Sequence, residues 1–399
     1  LCYLDTVTLK DVNGLVVPKP EHYNEKTYTE LVNNVFLYIQ NIIKQKPRHT
    51  VSIQIILPKS CIDNSYGLTG LIHSTRQEST KVKPQLIFVE DTVEEDTLHT
   101  ILKDNIANLD IDRIIKYEGK TRYVEYTSPV NVINKPIQVE ETYKSGDVIL
   151  VTGGLGGLGV AMTKDILKHS KYITVVLVGR SILDKTKSEK LKTLNSETNK
   201  VVYYDSDISK EKEVKNLIQK ILRIHQKLDG VIHCAGVIRD NYIMKKTVEE
   251  IQTVFEPKVY GAKYLDEHTK NIALRFFLCF SSLHSLGNAG QADYAMANAY
   301  LDGFTRARNK AVKNGDRQGQ SITMNWPYWK GGGMQLSEVA IDLMSGTKGS
   351  VPMPTEIGAE LMHYAIQMKL EQLFVDLGDY DKIINQHDID RYKAKLLPM

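Results

Sequence analysis

Cysteine is scarce. Cys2, Cys61, Cys234 and Cys279 are scattered through 399 residues without metal-ligand spacing, which excludes a disulfide-stapled scaffold and a cysteine-built zinc site. Cys234 and Cys279 fall in apolar runs and read as buried thiols, which fits a reducing cytosol. Neither sign of charge is in excess: 51 Lys and Arg face 48 Asp and Glu, so nothing marks a nucleic acid or a membrane surface as partner. No apolar run approaches the roughly 20 residues of a membrane span. The opening LCYLDTVTLK lacks the basic-then-hydrophobic order of a signal peptide and reads as a domain cut from a larger chain. What remains is the composition of a soluble globular protein at a length that suits two domains.

Glycine, by contrast, is concentrated. After the apolar run Val148 to Val151 come Thr152, Gly153, Gly154, Leu155, Gly156, Gly157, Leu158 and Gly159, and then a helical stretch from Val160 to Leu167. A strand, a glycine turn and a helix start form a phosphate-binding corner. Backbone without side chains lets a pyrophosphate approach, and the helix N-terminus offers unpaired N–H groups and partial positive charge. An acid that would bind a ribose 2′-hydroxyl is missing from the end of the next strand. Arg180 and Ser181 stand there instead and suit a 2′-phosphate, so NADPH is expected over NADH. Asp207, with Ile208 beside it, follows the third strand. It either accepts from an adenine amino group or caps the helix starting near Ser209.

Before this corner the chain alternates helix and strand. Thr27–Ile43, Gly67–Gln77 and Asp96–Ala107 read as helices, Val12–Val17, Val51–Leu57 and Gln85–Val89 as strands, and Arg113–Tyr117 with Arg122–Tyr126 as a hairpin. No fingerprint or catalytic group lies among them. Ser128–Gly146, with two prolines, reads as the linker. After it, Val148–Val151, Thr174–Val178, Val201–Tyr204, Gly230–His233, Phe276–Phe280 and Ser321–Asn325 are apolar strands between amphipathic helices. That predicts an α/β fold with a doubly wound parallel sheet of Rossmann type. Residues 330–354 interrupt the pattern with a glycine triplet, an apolar patch containing Met334, Leu343 and Met344, and Pro352-Met353-Pro354. A lid over the site is expected.

The catalytic candidates lie at the carboxyl edge of that sheet. Ketone reduction needs a proton for the developing alkoxide, and a tyrosine beside a cation can supply it. Tyr294 opens a helix in which Asn298 shares its face. Ser281-Ser282 ends the fifth strand, and Lys258 lies in the helix before it. His233 reads as a packed core residue, and His284 as lining the pocket. Trp326 and Tyr328 read as aromatics beside the nicotinamide or the substrate arm, although core aromatics are as common at a strand end.

The stretches VTGGLGGLG, VGRS, HCAGV, IRDNYIMKKT, EPKVYGA, CFSS, GNAGQADYAMANAYLDGF, NWPYWKGGGM and PMPTEIGAELM resemble the ketoreductase domains of modular polyketide synthases, most of all those of trans-acyltransferase assembly lines. This is a branch of the short-chain dehydrogenase/reductases in which the catalytic lysine and asparagine are exchanged between two helices, as Lys258 and Asn298 are here. The resemblance implies that Tyr294 donates the proton, Lys258 lowers its pKa, Asn298 holds a relay water and a serine binds the carbonyl. The family spacing of thirteen residues to the tyrosine fits Ser281, whereas the strand register favours Ser282. The resemblance further implies that Cys234, Ala235 and Gly236 join the glycine corner at the cofactor, and that Asp240, Gln291, Trp326 and Met334 lie on the substrate side. Ile238-Arg239-Asp240 stands at the family's stereocontrol triplet and Leu286 at its alternative tryptophan, so B-type reduction to a D-hydroxy product is implied.

The expected organisation is a structural, truncated Rossmann-like half (1–140) that binds no cofactor, followed by a catalytic half (141–399). The expected substrate is a β-keto, or also α-keto, acyl chain on an acyl carrier protein, within a cytoplasmic megasynthase and with no metal. A catalytically silent docking domain and a free-standing small-ketone reductase are the alternatives. Turnover of NADPH, and its dependence on the carrier, separate them.

Overall fold

The structure is a computed structural model. It describes residues 24–128, 142–333 and 336–386; the strand expected at Val12–Val17 and the site residue Met334 lie outside them. The chain divides into two compact units. The first takes Leu1–Glu125, Ile238–Phe255 and His284–Phe304, and the second takes Tyr126–Val237, Glu256–Leu283 and Thr305–Met399.

In the first unit, helix α1 (Glu25–Lys44) starts at a capping box in which the Asn24 side chain accepts from backbone N–H groups and Thr27 reciprocates. It buries Tyr28, Leu31, Val32, Val35, Phe36 and Ile39, a stripe at helical spacing. A four-stranded sheet follows in the order β1 (Val51–Pro58), β2 (Val82–Val89), β3 (Ile114–Glu118), β4 (Thr121–Val124). Its first two pairings are parallel and the last is an antiparallel hairpin. Helices α2 (Leu68–Glu78) and α3 (Glu95–Ile106) connect it. Ile56, Ile87, Val89, Leu98, Ile101, Ile115 and Tyr117 form its core. This is the truncated, degenerate half.

The second unit holds seven parallel strands: β5 (Val148–Thr152), β6 (Thr174–Gly179), β7 (Lys200–Asp205), β8 (Gly230–His233), β9 (Phe276–Ser282), β10 (Gln320–Trp326) and β11 (Gln372–Phe374). Their order across the sheet is β11-β10-β9-β8-β5-β6-β7. The order reverses between β5 and β8, and the crevice at that switch point is where a doubly wound sheet takes its ligand. Six of the strands are those expected; β11 was not, because three residues carry no periodicity. The end of the expected linker also differs: Thr142 and Tyr143 are buried, and Arg275 donates to the Thr142 carbonyl and pairs with Asp147. Residues 142–146 therefore belong to the catalytic unit.

Helix α4 (Gly157–His169) follows β5. Its Asp165 is bonded by His169 of the same helix and by His363 of the later helix Thr355–Gln367. The carboxylate is shared by two imidazoles and ties the two helices together.

Candidate active site

The glycine corner leaves β5 through Gly153, whose φ of +64° is open to glycine and strained for other residues. A side chain at Gly159 would lie 2.5 Å from the Gly153 carbonyl, so this glycine lets α4 start hard against the turn. Gly156 is the N-cap and Gly157 the first helical residue. The turn, with Gly156 exposed at its tip, and the helix N-terminus fit a pyrophosphate. Thr152 is committed elsewhere: its hydroxyl bonds His233 Nδ1 at 2.8 Å and accepts from the Ala235 N–H at 3.3 Å. It joins the ends of β5 and β8, so its side chain supports the corner from beneath. His233 is fully buried, and burial holds it down to about 3, so it is a neutral packing group.

Arg180 directly follows β6 and is exposed. The neighbouring Ser181 carbonyl accepts from the Tyr203 hydroxyl at 2.6 Å. Asp207 does not cap a helix. It closes a turn by accepting from the Ser209 N–H and hydroxyl at 3.0 and 2.7 Å, and the helix starts at Glu211. Ile208 is buried, and its Cδ1 lies 2.8 Å from where a Gly261 side chain would stand.

Lys258 sits in a π-helical turn, Glu256–Tyr260, between helices Val248–Phe255 and Gly261–Thr269. Such turns are rare and frequent at functional sites. The sequence reads only as continuous helix there. Lys258 is buried, and its ammonium donates to the Phe280 carbonyl at 2.8 Å. A side chain at Gly236, after β8, would stand 2.9 Å from Lys258 Cε. The backbone of HCAGV thus passes directly over the lysine. At the end of β9 the Ser281 hydroxyl accepts from Asn325 Nδ2 at 3.0 Å, and the following Ser282 faces the other side of the strand. Trp326 differs from expectation. It is 3% exposed and packs on Phe280 and Trp329, ring centroids 5.5 and 4.6 Å away, so it belongs to the core. The glycine triplet meets the corner, since a side chain at Gly157 would strike the Gly332 backbone at 2.3 Å. Beyond it, helix Glu338–Lys348 buries none of its residues and exposes Val339 and Leu343.

The first unit carries the other expected groups. Tyr294 lies in the first turn of helix Ala292–Lys313, and Asn298 Nδ2 donates to its carbonyl at 2.7 Å. The His284 ring stands edge-on to Tyr294, centroids 6.3 Å apart. Gln291 Nε2 donates to Asp240 Oδ1 at 2.8 Å, bringing together two residues assigned to the substrate side. The helix docks on the degenerate half at glycines: a side chain at Gly70 would strike the Ala295 backbone at 2.4 Å. Lys258 and Ser282 belong to the second unit, Tyr294 and Asn298 to the first.

The family model of the KR domain matches residues 147–331. A crystal structure of a ketoreductase domain from the bacillaene assembly line superposes with a TM-score of 0.86 at 34% identity, covering 93% of this chain and 89% of that one. The chain belongs to the ketoreductase domains of polyketide synthases. It is an oxidoreductase domain of short-chain reductase fold, of the trans-acyltransferase type that its motifs resemble. Polyketide synthase PksN of Bacillus subtilis (strain 168) is 36% identical over 363 residues, 90% of this chain, and PksL of the same organism is 35% identical over 353, 88% of this chain. The ketoreductase chain spans 6% and 8% of the length of these two relatives. No helix among the described residues is long and apolar enough to cross a membrane.

Sequence reasoning missed one pair within this ketoreductase. Lys246 Nζ lies 2.8 Å from Asp293 Oδ2, with neither side chain exposed. In the sequence Lys246 sits in the charged run MKKT and looks solvated. The available signal was an acid immediately before the tyrosine, at the start of a helix otherwise lined with alanine.

Proposed function

We propose that this domain reduces the β-keto group of an acyl chain tethered to an acyl carrier protein, with NADPH as reductant and the D-hydroxy (B-type) product. NADPH, when bound at the glycine corner, supplies the hydride for the carbonyl carbon. Tyr294 gives its phenolic proton to the carbonyl oxygen, so the ketone becomes the alcohol. Lys258 supplies positive charge that favours loss of the phenolic proton. Ser282 hydrogen-bonds the carbonyl, and Asn298 orders the water that re-protonates the relay. Asp240, braced by Gln291, selects the face.

The observation that carries this reading is Lys258: a buried ammonium donating to a carbonyl two residues before Ser282, at the carboxyl edge of the sheet. The exposed Arg180 supports the 2′-phosphate. Arg180→Asp is expected to abolish the preference for NADPH over NADH, and unchanged selectivity in kcat/KM would refute it. We further propose residues 1–140 as the structural half, 141–399 as the catalytic half with residues 330–354 as lid, the other domains of a cytoplasmic synthase as partners, and no metal.

The deciding experiment incubates the domain with carrier-bound β- and α-keto chains and NADPH, followed by mass and chiral analysis. Reduction of the β-keto chain to the D alcohol is expected. No NADPH consumption would overturn the catalytic reading, and an L alcohol the facial one.

A further inference from the structure

The segment 238–247 of the first unit carries Asp240 and is strapped from several sides. The Asn241 N–H donates to the Gly290 carbonyl at 2.8 Å. One carboxylate, Glu78 at the end of α2, accepts from the Ile243 N–H at 2.6 Å and from the Gly290 N–H at 2.9 Å. Gln40 of α1 donates to the carbonyls of Ile243 and Lys246 at 2.7 and 2.8 Å, its amide oriented by Lys44 donating to its oxygen at 2.8 Å. Across the middle runs Lys246, whose ammonium donates to the Arg239 carbonyl at 2.5 Å and pairs with Asp293 Oδ2. Asp293 Oδ1 accepts in turn from the Tyr294 N–H at 2.9 Å.

A wholly buried ion pair is a poor source of stability. Desolvating two charges costs several kcal/mol, and packed apolar residues of similar volume often serve as well or better. Such a pair does fix geometry, because neither charge can leave its partner. Here its two ends are the peptide joining Arg239 to Asp240 and the backbone of Tyr294. We propose that the Lys246–Asp293 pair is a positioning device for facial selection. It clamps the backbone of the Asp240 loop to the first turn of the Tyr294 helix and so fixes where the acid stands relative to the proton donor. The degenerate half shares the task, since Glu78 and Gln40 hold the same loop. Lys246 is a positioning residue: its effect reaches the substrate through Asp240 and Tyr294. The inference rests on the roles proposed for those two residues.

The test removes the charges and keeps the volume. The double variant Lys246→Met/Asp293→Asn, the single variant Lys246→Met and Asp240→Ala are each given a 3-oxoacyl pantetheine thioester and NADPH. Product configuration is read by chiral chromatography, beside kcat, KM and thermal unfolding. The double variant is expected to unfold near the wild-type temperature while its ratio of alcohol configurations falls at least tenfold. A ratio at the wild-type value in the double variant, or in Lys246→Met should the double not fold, overturns the clamp. Asp240→Ala separates the two levels. If it erodes the ratio and the pair-free variant does not, the clamp alone fails. If Asp240→Ala leaves the ratio intact, the stereocontrol reading beneath it fails.

Discussion

At Gly236 an added methyl group would lie 2.9 Å from Cε of Lys258, the mobile part of a long side chain rather than fixed backbone. The lysine can yield, so the fold tolerates the change and the ammonium bears it. Gly236→Ala is expected to leave thermal unfolding within about 2 °C of wild type and to lower kcat by roughly a hundredfold, the scale of a 1 Å misplacement. An equal loss of stability and activity would contradict this. The serine pair separates in the same way. Ser281 accepts from Asn325 across the sheet, an amide that also donates to the Ser282 carbonyl at 3.3 Å, so Ser281→Ala removes one of two hydrogen bonds and costs about 1 kcal/mol of stability with little effect on kcat. Ser282→Ala should do the reverse, with kcat down about 10²–10³ and unfolding unchanged. Paired melting curves and single-turnover rates would expose an inverted assignment.

Among the elements, those with strong periodicity were legible. The α1 stripe, the apolar strands β5 to β10 and the glycine corner follow from residue spacing alone, within a residue or two at their ends. What escaped depends on long-range pairing. β11 is three residues held by its partner β10. The π-helical turn under Lys258 adds one residue to a turn in a stretch that reads as ordinary helix, and nothing in EPKVY announces it. The degenerate half read as support only, because Gln40 and Glu78 acquire their role from backbone groups some 200 and 165 residues away. Trp326 was misread because an aromatic at a strand end suits a core and a pocket equally. Residues 330–354 were legible as an interruption of the pattern, and the helix within them bears the test of the lid reading. Val339 and Leu343 of Glu338–Lys348 are 77% and 64% exposed, more apolar surface than a free helix face requires. Val339→Ser/Leu343→Ser should leave unfolding unchanged, since nothing buried is lost. It should raise KM for a carrier-bound substrate roughly tenfold, about 1.4 kcal/mol of binding; a KM at the wild-type value would remove the lid from substrate capture.

For the molecule as a whole, buried titratable groups set the response to acid. His73 and His233 are both held down to about 3, chiefly by burial, with nearby arginines or Lys258 adding to it. Unfolded, each takes a proton below about 6.5. Between pH 6.5 and 3 the unfolded chain therefore binds more protons than the folded one, and stability falls as pH falls, by about 1.4 kcal/mol per unit for each histidine. Asp293 works the other way. Burial raises it to about 6 against the opposing pull of Lys246, so below pH 6 the folded chain holds a proton that the unfolded chain takes up only near pH 4. Acidification through that window returns up to about 1.4 kcal/mol per unit, and Glu78, also raised by burial, acts in the same direction. By pH 5 the histidines have cost about 4 kcal/mol and Asp293 has restored about 1, so the balance is a loss. The urea unfolding free energy should fall between pH 7 and 5, most steeply below 6.5. His233→Gln, which keeps a polar partner for Thr152 and cannot titrate, should reduce that slope by about one proton's worth, 1.4 kcal/mol per unit. The pair-free variant Lys246→Met/Asp293→Asn should steepen it below pH 6, because the compensating carboxyl is gone. Parallel slopes in all three proteins would mean that these buried groups do not govern the acid limit of the fold.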